Sequence, residues 1–233
     1  MASRSLGEPG EASIDALGER LDRNLAAVGK GTPELARRIA ETPSRSGIEF
    51  VVADDGRLSG SMTDEWGRRC QLASRRRPAE EAQRLASRVK IEQAAVIVVN
   101  GFAMGHHVRE VLARAKSSAL VVVYEPDVAL LRAVLERQDH SQWLWDPLLR
   151  FVTDAADITA LGQLLEGAEG LVSLGVEILD HPPSEKRLGD GPAALAKNLA
   201  DVVRSIRTNV ITTLSQAYVT IRNQLMNLDK YVQ

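Results

Sequence analysis

Two short runs, Val96–Val99 and Leu120–Tyr124, are continuously apolar and rich in β-branched residues, with no polar residue alternating between them. A strand of this kind has no face to give to water, so it needs cover on both sides, as strands of a parallel sheet have. The intervening residues supply the crossover: a glycine turn, Gly101-Phe102-Ala103-Met104-Gly105, then a segment long enough for about three helical turns. The second run ends in an acid, Glu125, followed by Pro126 and Asp127. This βαβ unit, Ala95–Asp127, is the feature around which the rest of the chain must arrange itself.

The alternation continues downstream. Asp127 is placed to cap a helix carrying Val128, Leu131, Val134 and Leu135. Leu149–Thr153 reads as a third strand, Ile158–Leu165 as a third helix and Gly170–Leu179 as a fourth strand. The expected class is therefore α/β, a Rossmann-like, mostly parallel sheet. Upstream, residues 1–12 have little to bury and are expected to be disordered. Residues 13–66 form an extension. A helix opens at Ser13 with Ile14, Leu17, Leu21, Leu25 and Val28 on one face and stops at Gly29 and Gly31. Thr32-Pro33 starts a second helix that Pro43 ends. Asp54-Asp55-Gly56 then turns a hairpin between Ile48–Ala53 and Arg57–Met62. Residues 67–190 form the Rossmann-like domain, entered through a helix that begins at Pro78. From residue 191 to 233 one apolar stripe, Leu195, Leu199, Val202, Ile206, Val210, Leu214, Tyr218, Ile221, Leu225 and Leu228, recurs with a helical period. It predicts a long helix, broken near Thr212 and Thr213, too long for a small sheet to cover. Residues 195–230 are therefore expected to meet a further domain or a second copy of the chain.

The candidate site follows from the turn. Gly101 and Gly105 let the backbone turn sharply before a helix whose first N–H groups form an anion site. Glu125, about 20 residues on, stands where such folds hold a ribose hydroxyl. Ala103 occupies a place where the dinucleotide fingerprint often has a second glycine, so two readings stand: a nucleotide-type pocket, or a turn that only closes the fold. Arg75-Arg76-Arg77, just ahead of Pro78, form either a phosphate or carboxylate clamp or a solvated basic loop. His106, in the first helical turn, is either a phosphate contact or a surface histidine, and Phe102 and Met104 read as turn packing. His181-Pro182-Pro183-Ser184-Glu185-Lys186 makes a rigid loop at a strand's carboxyl end. Trp143 and Trp145 read as core or interface anchors.

Other chemistry finds little support. The charge is balanced, formally −2, and Phe, Trp and Tyr number three each, which argues against a nucleic-acid surface. Cys70 is the one cysteine, so there is no internal disulfide, and a reducing cytoplasm is expected. No apolar run is long enough to span a bilayer. His106 and His107, adjacent on a helix, point about 100° apart and do not form a metal pair. No Gly-x-Ser-x-Gly elbow occurs. No catalytic residue and no metal ligand is assigned.

Four patterns occur in an order that resembles the N-terminal region of motility-associated-factor (Maf-type) glycosyltransferases, bacterial proteins linked to flagellin glycosylation with nonulosonic, sialic acid-like sugars. They are Ser74 with Pro78 and Glu81-Ala82; Gly101-Phe102 with Gly105-His106-His107-Val108; Tyr124-Glu125-Pro126-Asp127; and His181-Pro182 with Glu185-Lys186. The helix bearing Asn209, Asn223 and Asn227 is similar to the one leading into that family's central domain. The resemblance covers roughly residues 45–233. It implies that sugar-nucleotide chemistry belongs to a central domain with a Gly-Pro-Ser motif, which this sequence lacks, and that this chain is a non-catalytic N-terminal domain, or a protein reduced to one. The implied ligand is a nucleotide-sugar and the implied acceptor flagellin. Departures from the family are Ala103, in place of a glycine, and His106, where a bulky residue is usual. Two other readings stand beside it: a class I methyltransferase-like enzyme in which Glu125 holds the ribose of S-adenosylmethionine, and a structural interaction module whose turn binds nothing.

Overall fold

A computed structural model describes residues 14–64, 67–165 and 175–227. The disorder expected for residues 1–12, the start of the fourth strand and Leu228 lie outside them.

The four fully or partly apolar runs form one parallel sheet: β4 (Val96–Asn100), β5 (Leu120–Tyr124), β6 (Leu149–Val152) and β7 (Val176–Asp180), in the order β6-β5-β4-β7. Val96 pairs with Leu120 on one side and with Val176 on the other. The absence of alternation in β4 and β5 is explained by two cores. Ile97, Val99, Val121 and Val123 face one, with helices α4 (His106–Ala115) and α5 (Val128–Arg137). Val96, Val98, Leu120 and Val122 face the other, against α7 (Ile158–Leu164) and the final helix. Every residue of β4 and β5 is buried. The chain is thus a mixed α/β protein with a Rossmann-like parallel sheet and a long C-terminal helix.

The hairpin forms as its turn residues require. β1 (Ile48–Val52) pairs antiparallel with β2 (Leu58–Thr63), and Gly56 takes φ +79 in the turn. A third strand, β3 (Arg69–Gln71), joins β2. It is too short and too polar to declare itself in the sequence. Helices α1 (Ile14–Gly31) and α2 (Pro33–Glu41) pack against α5 and the short α6 (Ser141–Leu144). Fully buried Asn24 joins them: its amide donates to the Leu135 and Gln138 carbonyls and its oxygen accepts the His140 N–H. Helix α3 (Pro78–Ala86) borrows a cap from the hairpin, the Asp55 carboxylate accepting the Ala79 N–H at 3.0 Å.

Two expectations are corrected. His181-Pro182-Pro183 opens a helix, α8 (Pro182–Leu188), in place of a rigid loop, because prolines suit the first helical positions, where no backbone N–H is needed. The final helix, α9 (Gly191–Asn227), is unbroken at Thr212 and Thr213. The Thr208 and Thr212 hydroxyls donate to the carbonyls four residues earlier, so these residues satisfy their side chains without leaving the helix.

Candidate functional site

Chain order reverses between β4 and β7, and in open α/β sheets the crevice at the carboxyl end of such a reversal is where ligands bind. The glycine turn begins there. Gly101 takes φ +97 and Gly105 φ +74, both in the left-handed region that glycine tolerates. Ala103 is held at φ +47, so the backbone adopts there a conformation that a glycine would take without strain.

The crevice is filled by the chain itself. Every residue from Gly101 to Val108 is buried. The His181 N–H donates to the Asn100 carbonyl, and the Asn100 amide donates to Asp180 at 2.7 Å, bridging β4 and β7. Helix α8 then lies over Gly101 so closely that a Cβ added there would sit 2.6 Å from both Cβ and Oγ of Ser184. The void bounded by Met104, His106, His107, His181 and Glu81 is about 10 Å³, room for one water molecule.

Glu125 is fully buried, and its carboxylate is committed. Oε2 accepts the Phe102 N–H at 3.1 Å and Oε1 the Asp127 N–H at 3.1 Å. Arg187, one turn into α8, meets both oxygens in a fork at 2.6 and 2.7 Å. Burial works against the Arg187 charge, but Glu125 outweighs it and holds the guanidinium above its ordinary range. An anion does bind a backbone N–H of the glycine turn, and it is this chain's own carboxylate.

All four histidines of the chain are buried around this rim. His106, expected at the surface or on a phosphate, is 4% exposed, its Nε2 2.8 Å from the Leu58 carbonyl. His107 Nε2 lies 2.8 Å from the Gly101 carbonyl, and its ring stacks on His181 with centroids 4.4 Å apart and planes 3° from parallel. Burial pushes His107 down to about 4 and His140 down to about 3, and lowers His106 and His181 as well, so all four are neutral at pH 7. Phe102 packs edge-on against His140 and stacks on Trp143. Trp143 is therefore a core anchor, while Trp145 is 49% exposed.

The structure brings Gly101, Phe102, Gly105, His106 and Glu125 together at one end of the sheet. Arg75 and Arg77 are exposed and are engaged elsewhere, with Glu49 and Glu80. Sequence reasoning missed Ser184 and Arg187. Both lie on one face of α8, Ser184 three residues after His181 and Arg187 three after Ser184, a spacing visible once Pro182 is read as a helix start. His181 Nδ1 lies 2.8 Å from Ser184 Oγ, the spacing of a base and a hydroxyl nucleophile. Ser184 is 1% exposed and packed on Gly101, which leaves no place for an acyl substrate. Among the described residues no three His, Cys, Asp or Glu side chains converge as a metal site.

No protein-family model matches the chain, and no curated protein matches it. Among solved structures it is similar to the MAf glycosyltransferase from Magnetospirillum magneticum AMB-1, at 14% sequence identity and a TM-score of 0.48. That similarity covers 80% of this chain and 35% of the other, so the chain spans about a third of that protein's length.

Proposed function

We propose that this chain is a non-catalytic, N-terminal scaffolding domain of a Maf-type glycosyltransferase that modifies flagellin with a nonulosonic sugar. Its support is the resemblance of four sequence patterns, together with what those patterns do in the fold. Scattered between Ser74 and Lys186, they converge at the carboxyl end of the sheet, where several of their polar groups are spent on one another. The Ser74 N–H donates to Glu81, and Phe102 and Asp127 donate to Glu125. The observation that carries the reading is the buried Glu125–Arg187 fork: the acid that would hold a ribose is already held. The same fork speaks against the S-adenosylmethionine reading, whose anchor is Glu125.

In this role the domain positions a catalytic domain and the acceptor, and the exposed half of α9 is where a further domain or a second copy docks. A cytoplasmic setting belongs to the same proposal. Cys70 is a free, buried thiol, and no helix among the described residues is long and apolar enough to cross a membrane. The test is transfer of a nucleotide-activated nonulosonic acid to flagellin by the purified chain. The proposal expects no transfer; turnover by this chain alone would overturn it.

A further inference from the structure

We infer that α9 is a two-fold dimer interface, in which the exposed second half of each α9 lies antiparallel in the groove between β7 and the first half of the partner's α9.

Two largely apolar features lie on this part of the molecule. The first is a groove of about 410 Å³ beside β7, where Val176 and Ile178 are 38% and 48% exposed opposite Ala196, Ala200 and Val203 of α9, with Arg204 and Arg207 also lining it. The second begins where α9 leaves the domain. There Ile211, Leu214, Tyr218, Ile221 and Leu225 are each more than half exposed. At about 100° per residue the two features share one face of one helix, so the groove runs on into the stripe. The stripe's 3-4-3-4 spacing is that of a seam made to receive another helix.

The occupant follows from the spacing and the side-chain sizes. Along this face come Ala196, Ala200, Val203 and Arg207, then Leu214, Tyr218, Ile221 and Leu225. The intervals are four, three and four residues on either side of a gap of seven, and they read the same in both directions. An antiparallel copy therefore meets this face in register, as an isologous interface requires. Such pairing sets Ala196 opposite the partner's Leu225, Ala200 opposite its Ile221 and Val203 opposite its Tyr218, small against large, with the Arg207 stem opposite its Leu214, so the two surfaces interdigitate. A parallel copy would set alanine on alanine and leave a gap. The stretch Thr208–Asn227 contains one charged residue, Arg222. A solvated helix carries a charged face, which this one lacks, so the stripe is a face to be covered.

This inference does not rest on the proposed function. Oligomeric state is read without ligand or acceptor, so its failure would leave that reading standing. Size-exclusion chromatography with light scattering, over a concentration series up to about 100 µM, is expected to give twice the 25.4 kDa of one chain. The double variant Ile221→Glu/Leu225→Glu is expected to run as a monomer with unchanged far-ultraviolet circular dichroism, because both positions are exposed and touch no core. An equimolar mixture of Ala200→Cys and Ile221→Cys chains is expected to oxidise to a covalent dimer that neither variant forms alone. A monomeric wild-type chain, a dimer that survives the two glutamates, or homodisulfides from either single-cysteine variant would each overturn it.

Discussion

The Glu125–Arg187 pair shows what a single side chain can and cannot announce. An acid ending a buried strand beside a glycine turn is visible in the sequence. Its partner, 62 residues downstream, is not, because only the return of the chain through β7 and α8 brings Arg187 to it. A largely buried fork of this kind contributes little over an apolar pair, yet breaking it leaves the fully buried Glu125 charge uncompensated. Arg187→Met is therefore expected to lose about 3–5 kcal/mol of stability. Arg187→Met combined with Glu125→Gln should recover much of that, because the amide oxygen still accepts one N–H and no charge stays buried. Urea denaturation of the two variants checks this, and equal losses would contradict it. Gly101 is legible for a different reason: its need for positive φ marks a turn, but the near contact with Ser184 that forbids a Cβ comes from a distant helix.

The strands and most helices could be read because their signals are local. Val96–Asn100 and Leu120–Tyr124 lack alternation, and Pro33 and Pro78 stand at first helical positions. Helix α8 was hidden by the same residues that start it, since His-Pro-Pro reads equally as a stiff loop. The ties between elements were hidden as well. Asp55 of the hairpin caps α3, and the Arg132 side chain donates to the Ala40 and Thr42 carbonyls at the end of α2. Asn24 is the most demanding of these, with three hydrogen bonds and no exposure. Asn24→Ala leaves two carbonyls and one N–H without partners in a closed interface. It is expected to cost about 2–4 kcal/mol, read as a lowered melting temperature. A change of only a few tenths of a kcal/mol would mean that water replaces the amide.

Taken as one body, the protein carries all its histidines as neutral groups in its interior, which links its stability to pH. In the unfolded chain each titrates near 6.5; in the folded chain burial holds His107 at about 4 and His140 at about 3, with His106 and His181 also lowered. Below pH 6.5 the unfolded state therefore takes up protons that the native state refuses. The stability present above pH 6.5 is lost as pH falls, over a window reaching toward 4 for His107 and 3 for His140. Each histidine that stays neutral adds a slope of about 1.4 kcal/mol per pH unit. Denaturant midpoints measured at pH 7.5, 6 and 5 should fall steadily, and a flat profile would contradict this account.

The same enclosed rim decides what this crevice admits. Its crevice is occupied by Ser184, His181 and Arg187, so a nucleotide has nowhere to enter without unseating α8. Calorimetric titration of the wild-type chain with nucleotide-sugars and with S-adenosylmethionine, each to millimolar concentration, asks the question directly. The self-filled crevice predicts no saturable heat with either; saturable binding of one of them would contradict it.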